Sequence, residues 1–461
     1  MKQNASIVLD IGKTNVKLSL LDAQANTLAE QRCPNNIVRE GIYPHHDTDR
    51  IWSWMLHVCG EFSRIARVSA IIPVTHGATA ALVNDRGLVL PILDYESELP
   101  EQDNHQYQPL RPPYQQSYSP NLPAGLNLGR QLAWLQNNYP QEFAKASHIL
   151  MYPQYWAWRL SGVAATEVSS LGCHTDLWDT GQQKYSSLVE KKAWASLFPP
   201  MQKAWSRLAT IRPTLARETG LPADCQIICG VHDSNASLLR HLKNASNSSN
   251  KHRTVLSTGT WTIAAALGAD QERLDEHADM LANTNVLGEA VSCMRFMGGR
   301  EFAILAGQEP VTCTPSDIRK LISQNTFALP CFAESGGPFS GQLARISGQA
   351  PENMQERYAI ATLYCVLMTD YCLEKLGSEG DIIIEGSFTN NPYLAAMLAS
   401  LRPQQNIELS NDTSGTTYGA WMLHHWEKLP DLDSQAGAVS KLELPGLLTY
   451  KAKWRELVMS R

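Results

Sequence analysis

Ile7-Val-Leu-Asp-Ile-Gly-Lys-Thr-Asn-Val-Lys-Leu18 is the stretch on which the reading of the chain turns. Ile7 to Leu9 form an apolar run that reads as a buried strand. The run stops at Asp10, and a carboxylate in that position needs a cation nearby to offset its desolvation. Gly12 permits a tight turn, which Lys13, Thr14 and Asn15 crowd with hydrogen-bond donors. From Val16 to Leu20 apolar and polar residues alternate with the period of a strand that buries one face. The element is therefore strand, polar turn, strand. Such a turn suits phosphate, because its backbone N–H groups make an anion nest and an aspartate can hold the accompanying magnesium. Gly12-Lys13-Thr14 also matches the tail of a Walker A loop. The first glycine of that motif would fall at Ile7, however, and a strand rather than a helix follows. Taken alone, the stretch still leaves open an ordinary hairpin with an acid at its turn.

The same grammar recurs at Thr254-Val-Leu-Ser-Thr-Gly-Thr-Trp-Thr-Ile-Ala-Ala-Ala266. Similar elements half a chain apart point to two related domains, each with one phosphate-facing hairpin. The length of 461 residues agrees, since single cores stop growing well before that. With 18% charged residues and a formal net charge of -6, the chain offers no basic stripe for nucleic acid. No run approaches the ~18 apolar residues of a membrane helix. The first residues lack the basic and apolar regions of a signal peptide, so the expected location is cytoplasmic. The cysteines lack the spacing of a zinc knuckle or a redox C-x-x-C and read as buried thiols. His45-His46 and His424-His425 have no third ligand near them in sequence and read as solvated or cap-like.

Asp49 to Ala66 has the apolar stripe of an amphipathic helix. Val68 to Val74 reads as a strand ending at Thr75-His76-Gly77, and Ala80 to Leu90 as a hairpin. Residues 97–124, polar and rich in proline, read as a long loop or lid. Leu126 to Asn137 restores a helical pattern. In Cys225-Gln-Ile-Ile-Cys-Gly-Val-His-Asp-Ser-Asn-Ala-Ser237 a strand runs into Gly230, and Asp233 emerges at the start of a helix, whose N-terminus favours an ionised carboxylate. His241 to Arg253 reads as a linker. A long helix is expected over Pro351 to Leu376, followed by a strand and Gly-Ser turn in Asp381-Ile-Ile-Ile-Glu-Gly-Ser387 and a helix opened by Pro392. Asn406 to Ser410 is a further strand, and Gly415 to Ala420 begins a helix.

This ordered set, with its Asp10 and Thr258-Gly259-Thr260 turns and its Gly230-Val-His-Asp233 segment, resembles the FGGY carbohydrate kinases. These are the sugar-kinase branch of the actin, hexokinase and heat-shock-chaperone superfamily, and the chain looks most like their rhamnulokinase and fuculokinase side. The resemblance spans nearly the whole chain. It implies an α/β fold with two ribonuclease-H-like (actin-like ATPase) domains flanking a cleft. Residues 1–245 would bind sugar and carry the catalytic base, and residues 246–461 would bind nucleotide. ATP and Mg²⁺ are the implied cofactors, with Asp10 holding the metal and Asp233 accepting the proton of a sugar hydroxyl. Substrate contacts fall to His76, Gly77, Glu96 and His232. Nucleotide contacts fall to Lys13, Thr14, Asn15, Gly259, Thr260, Gly386 and Asn390.

The chain departs from the family at Pro91-Ile-Leu-Asp-Tyr-Glu-Ser97, where a Trp-x-Asp-x-Arg segment is usual and neither Trp nor Arg is present. Glu96, then Asp94, stands in for the acid, since a carboxylate accepts from vicinal hydroxyls. The usual double glycine of the adenosine motif is Glu385-Gly386. The expected reaction phosphorylates the terminal hydroxyl of a ketose such as L-rhamnulose or L-fuculose, with L-xylulose, L-ribulose or a polyol as the alternative. A sugar or nucleotide sensor without phosphotransfer is the non-enzymatic alternative. The expected partner is a small-molecule sugar, with neither nucleic acid nor membrane, and a homodimer is left open.

Overall fold

The computed structural model describes residues 2–246, 252–307, 309, 311–410, 415–429 and 436–460. Three antiparallel strands, Asn4–Ile11, Asn15–Asp22 and Thr27–Pro34, open the chain as a meander. Ile7, Leu9, Ile11, Val16, Leu18 and Leu20 are buried in a single cluster, which is why the first strand reads as nearly continuous apolar sequence. The helix Thr48–Ile65 follows. Asp47 caps it by accepting from the Arg50 N–H at 3.2 Å, and Ile51, Met55, Val58, Cys59 and Phe62 make its buried stripe.

Arg67–Thr75 then pairs in parallel with the first strand, which sets Asp10 beside Val74 and Ile11 beside Thr75. The short strand Val231–His232 also pairs in parallel with it, with His232 opposite Thr75. Parallel pairing brings the carboxyl ends of these strands together, and open α/β sheets bind ligands at such ends. Asp10, His76, His232 and Asp233 are gathered there from three distant parts of the chain.

The second half repeats the scheme. Arg253–Thr258, Thr262–Leu267 and Ala290–Phe296 are antiparallel neighbours, Asp381–Gly386 pairs in parallel with the first of them, and Ile407–Ser410 pairs in parallel with Asp381–Gly386. The long helix Met354–Leu376 precedes the parallel strands. It starts at Asn353, whose side chain accepts from the Glu356 N–H at 2.9 Å, rather than at Pro351 as the sequence suggests. A capping asparagine fixes the first turn more strongly than a proline upstream of it.

The chain forms two compact units. One comprises Met1–Asn244, Ala282–Ala290 and Ser414–Leu432, the other Ala245–Leu281, Val291–Thr413 and Asp433–Arg461. The sequence division at 245/246 is a single cut, whereas here the chain returns to the first unit twice. One return carries the helix Gly415–His424 onto the strands Asn4–Ile11 and Arg67–Thr75. Gly419 makes this possible: a Cβ there would sit 1.8 Å from the Ala236 carbonyl oxygen. Lys17 Nζ donates to Thr417 Oγ1 at 2.7 Å and Trp421 Nε1 to the Asp22 carbonyl at 2.9 Å, fastening the helix to the opening hairpin.

Residues 97–124 are not an open lid. They carry the short helices Leu99–Gln102, Asn104–Tyr107 and Tyr114–Ser117. Buried Asp176 accepts from Tyr107 Oη at 2.7 Å and from Arg111 Nε and Ser117 Oγ at 3.4 Å, so one carboxylate anchors residues 107–117 of the segment. The expected linker is shorter than its composition suggests, since the helix Asp233–Ser246 runs into it; residues 247–251 lie outside the described residues. No helix among the described residues is long and apolar enough to cross a membrane.

Candidate active site

The turn after the first strand is closed by the Gly12 N–H, which donates to the Asn15 carbonyl at 2.9 Å. Asn35, absent from the sequence reading, braces it from below. Its N–H donates to the Thr14 carbonyl at 2.9 Å and its side-chain amide to the Gly12 carbonyl at 2.8 Å. Thr14 and Asn15 are exposed at the tip. Asp10 lies opposite Lys17 in the hairpin register, with Lys17 Nζ at 3.4 Å from its carboxylate. Burial raises the Asp10 carboxyl above its ordinary range, Lys17 opposes the shift, and the charge of Asp233 adds to it.

Asp233 is the first residue of its helix, and its Oδ1 accepts from the Ser234 N–H at 2.6 Å, with His232 Nε2 3.1 Å away. The Asn235 amide contacts His232 Nδ1 at 3.4 Å. The neutral tautomer with its proton on Nε2 leaves Nδ1 to accept from that amide and sets a polar N–H beside the Asp233 carboxylate. Burial holds the His232 imidazole down to about 4, which keeps it neutral. Asp233 remains 32% exposed along its side chain. Desolvation by its surroundings nevertheless raises its carboxyl, against the opposing pull of His76 and the Ser234 bonds. The sequence reading looked to the helix N-terminus to favour the ionised form; here the loss of solvation outweighs it.

His76 is buried, and its Nδ1 lies 3.0 Å from the Gly77 carbonyl, so Nδ1–H donates and Nε2 is left as the acceptor. No group among the described residues bonds Nε2. Burial, with smaller contributions from Lys13 and His232, lowers this imidazole to about 4, although the Gly77 carbonyl and Asp233 oppose the shift. Gly77 packs on His232, where a Cβ would fall 2.8 Å from Nε2. His46 and Tyr152 pack on His76, with ring centroids 5.2 and 5.1 Å away, and Tyr95 meets it edge-on at 5.3 Å. His46 was expected to be solvated or cap-like and is instead 2% exposed, with neither ring nitrogen bonded among the described residues. The other histidine pair is also partly withdrawn: His425 stacks on Trp421 at 4.3 Å and His424 lies against it.

A further buried carboxyl supports Asp233 from behind. Glu167 caps a short helix by accepting from the Ser169 N–H at 2.9 Å and from Ser169 Oγ, which in turn accepts from the His232 N–H at 3.1 Å. Burial pushes the Glu167 carboxyl up to about 7. Glu167, Asn35 and Tyr95 carry no site role in the sequence reading, and His46 enters it only as a solvated or cap-like residue. Their importance comes from contacts across many residues of chain, which local periodicity does not carry.

The turn of the second unit has another character. Gly259 N–H donates to the Trp261 carbonyl at 2.8 Å, and Thr260 is exposed. Gly386, opposite Thr258 in the parallel register, has φ +85°, and a Cβ there would lie 1.9 Å from the Thr258 carbonyl oxygen. Gly299 approaches the Gly259 carbonyl just as closely, with a Cβ distance of 2.1 Å. Gly259, Thr260 and Gly386 thus share one strand end, and exposed Asn390 closes the short turn Ser387–Asn390 that follows.

Residues 5–239 match the N-terminal domain of the FGGY family of carbohydrate kinases, and residues 250–431 match the FGGY C-terminal domain. The chain belongs to the FGGY family. A carbohydrate kinase from Novosphingobium aromaticivorans has a TM-score of 0.91 and 34% identity, covering 100% of this chain and 99% of that one. A xylulose kinase from Lactobacillus acidophilus shares the fold, with a TM-score of 0.76 and 15% identity over 99% of this chain and 96% of its own. L-fuculokinase of Salmonella typhi is 27% identical over 57% of this chain and 56% of its own length. That of Escherichia coli K12 is 26% identical over 60% of both. The match thus spans little more than half the length of these curated relatives. For an FGGY chain, the two-unit α/β architecture is the actin-like ATPase fold expected from sequence.

Proposed function

We propose that this protein is an ATP-dependent sugar kinase that phosphorylates the terminal hydroxyl of a ketose. The observation that carries the reading is Asp233, held by His232 and Ser234 at the strand ends where Asp10 and His76 also emerge. A carboxyl raised by desolvation is a better base than an ordinary aspartate. His232 orients it; His76, neutral with Nε2 as an acceptor, receives a hydrogen bond from a sugar hydroxyl, beside the bare Gly77 backbone. Asp94 and Glu96 accept from further hydroxyls. Asp233 takes the proton of the reacting hydroxyl as its oxygen attacks the γ-phosphorus of ATP, and ADP leaves with the bridging oxygen.

Mg²⁺ fits the residues present. It keeps most of its waters and needs only one or two carboxylates, and Asp10 is a half-buried carboxylate whose repulsion by Asp233 a cation would relieve. Bound there, it would neutralise phosphate charge. In the first unit Thr14 and Asn15 offer donors at the turn tip. In the second, Gly259, Thr260, Gly386 and Asn390 offer exposed backbone and side-chain groups to the nucleotide. A 6-deoxyketohexose such as L-fuculose or L-rhamnulose is the preferred acceptor, supported by the L-fuculokinase relatives; a pentulose or polyol is the next choice. The ten cysteines are free thiols, as suits a reducing cytoplasm.

The test is coupled ADP release over a panel of ketoses and polyols, with Asp233→Ala as control. A ketose should stimulate release in the wild type, and the variant should lose roughly 10²- to 10⁴-fold in kcat. A panel with no response would favour a sensor without phosphotransfer.

A further inference from the structure

Lys13 stands in the turn that the sequence assigns to phosphate, yet its ammonium faces the 94–96 segment. Nζ donates to Asp94 Oδ1, lies 3.2 Å from Glu96 Oε2 and sits 4.5 Å over the centre of the Tyr95 ring. Three consecutive residues thus close around one cation. An ammonium has three donors and no acceptor capacity, and here two carboxylates and a π face engage it. Asp94 is only 8% exposed along its side chain, so withdrawing Lys13 toward phosphate would strand a buried carboxylate.

The segment that Lys13 grips belongs to the acceptor side. Asp94 N–H donates to the Pro44 carbonyl at 3.0 Å, and the Tyr95 carbonyl accepts from Gly125 N–H at 2.9 Å, so the backbone there is fixed. Tyr95 touches His76 and lies within the field of Asp233. We propose that Lys13 is a positioning residue for sugar recognition and not a phosphate ligand: it holds Asp94 and Glu96 in place as acceptors for vicinal hydroxyls. The proposal rests on the kinase reading above and narrows its substrate class. Lys13 is engaged by two carboxylates and Lys17 by Asp10 and Thr417. The acceptor side therefore offers carboxylates and neutral imidazoles, which suit an uncharged polyhydroxy ketone and repel a sugar acid.

Lys13→Met and Lys13→Arg test this with sugar and ATP varied separately in the coupled assay, and thermal melts recorded for each. Lys13→Met should raise the sugar KM at least tenfold and leave the ATP KM within twofold, with Lys13→Arg restoring most of the loss. Gluconate should give no turnover with the wild type. A tenfold rise in the ATP KM at an unchanged sugar KM would overturn the assignment, as would gluconate turnover matching that of a ketose. If Lys13→Met does not fold, Lys13→Arg is read by the same KM split. If no sugar stimulates the wild type, the kinase reading itself fails. Titration with Mg²⁺ and a non-hydrolysable ATP analogue then judges Lys13 alone: unchanged affinity in Lys13→Met upholds its exclusion from the phosphate site, and a tenfold loss overturns it.

Discussion

The two hairpin turns that begin the two halves share a topology and differ in what fills them. Around Gly12 to Asn15 the neighbourhood is charged: Asp10 against Lys17, Lys13 against Asp94 and Glu96, and Asp233 close enough to raise Asp10. Around Gly259 and Thr260 it is largely backbone, with Gly386 and Gly299 packed on the Thr258 and Gly259 carbonyls, while Arg295 lies over the Trp261 ring. Both grow from a strand hairpin flanked by a parallel neighbour, so the pairing scheme does not set the chemistry. The difference lies in side-chain size. Charged groups at the first turn suit proton transfer and hydroxyl recognition, and bare backbone at the second suits close approach of a nucleotide.

Substitutions in each half should therefore fail in different ways. The largest effect belongs to the first: Asp233→Ala should cut kcat by roughly 10² to 10⁴ while the melt and ATP affinity stay near wild type. The comparison breaks if ATP affinity falls along with kcat. In the second half, Gly386→Ala places a Cβ against a backbone carbonyl at a φ of +85° and ψ of -153°. Such a backbone costs a non-glycine residue on the order of 1–3 kcal/mol. The ATP KM should rise about tenfold or more while sugar affinity, measured by direct titration, changes little.

The smallest effect concerns pH. Glu167, buried with its carboxyl at about 7 against an ordinary 4.5, binds a proton more tightly folded than unfolded. Its contribution to stability is therefore complete below about 4.5 and is lost as pH rises through about 7. Glu167→Gln cannot ionise, so its melting temperature relative to wild type should improve between pH 5 and pH 8, by an amount on the order of 1 kcal/mol in stability. His232 has the opposite sign. Depressed from 6.5 to about 4, it contributes stability above 6.5 that is lost as pH falls through 4. A Glu167→Gln melt difference that stays constant from pH 5 to pH 8 would place its carboxyl outside this range.

Much of the first turn was legible in sequence, because a strand that ends in Asp-x-Gly states its geometry locally. So was Asp233, since an apolar strand running through Gly230 into a helix start leaves few positions for an exposed acid. Lys13 was not: its partners lie 81 and more residues away, and a lysine at a glycine turn is locally indistinguishable from a phosphate ligand. The helix Gly415–His424 has the composition of any buried helix, and only Gly419 against Ala236, Lys17 with Thr417 and Trp421 with Asp22 reveal that it covers the first sheet. The short helices within residues 97–124 were not legible because the groups that hold them, Asp176, Asn127 and Arg130, lie beyond the segment. His46 looked solvated because a histidine pair carries no burial signal until His76 and Tyr152 close on it.

The most direct measurement follows labelled γ-phosphate from ATP to a ketose with the wild type and Asp233→Asn, both shown to be folded. The account predicts label on the terminal hydroxyl of the sugar with the wild type and at least a hundredfold slower transfer with the variant. Transfer by Asp233→Asn at the wild-type rate would contradict it, as would wild-type ATP cleavage that proceeds equally with and without sugar.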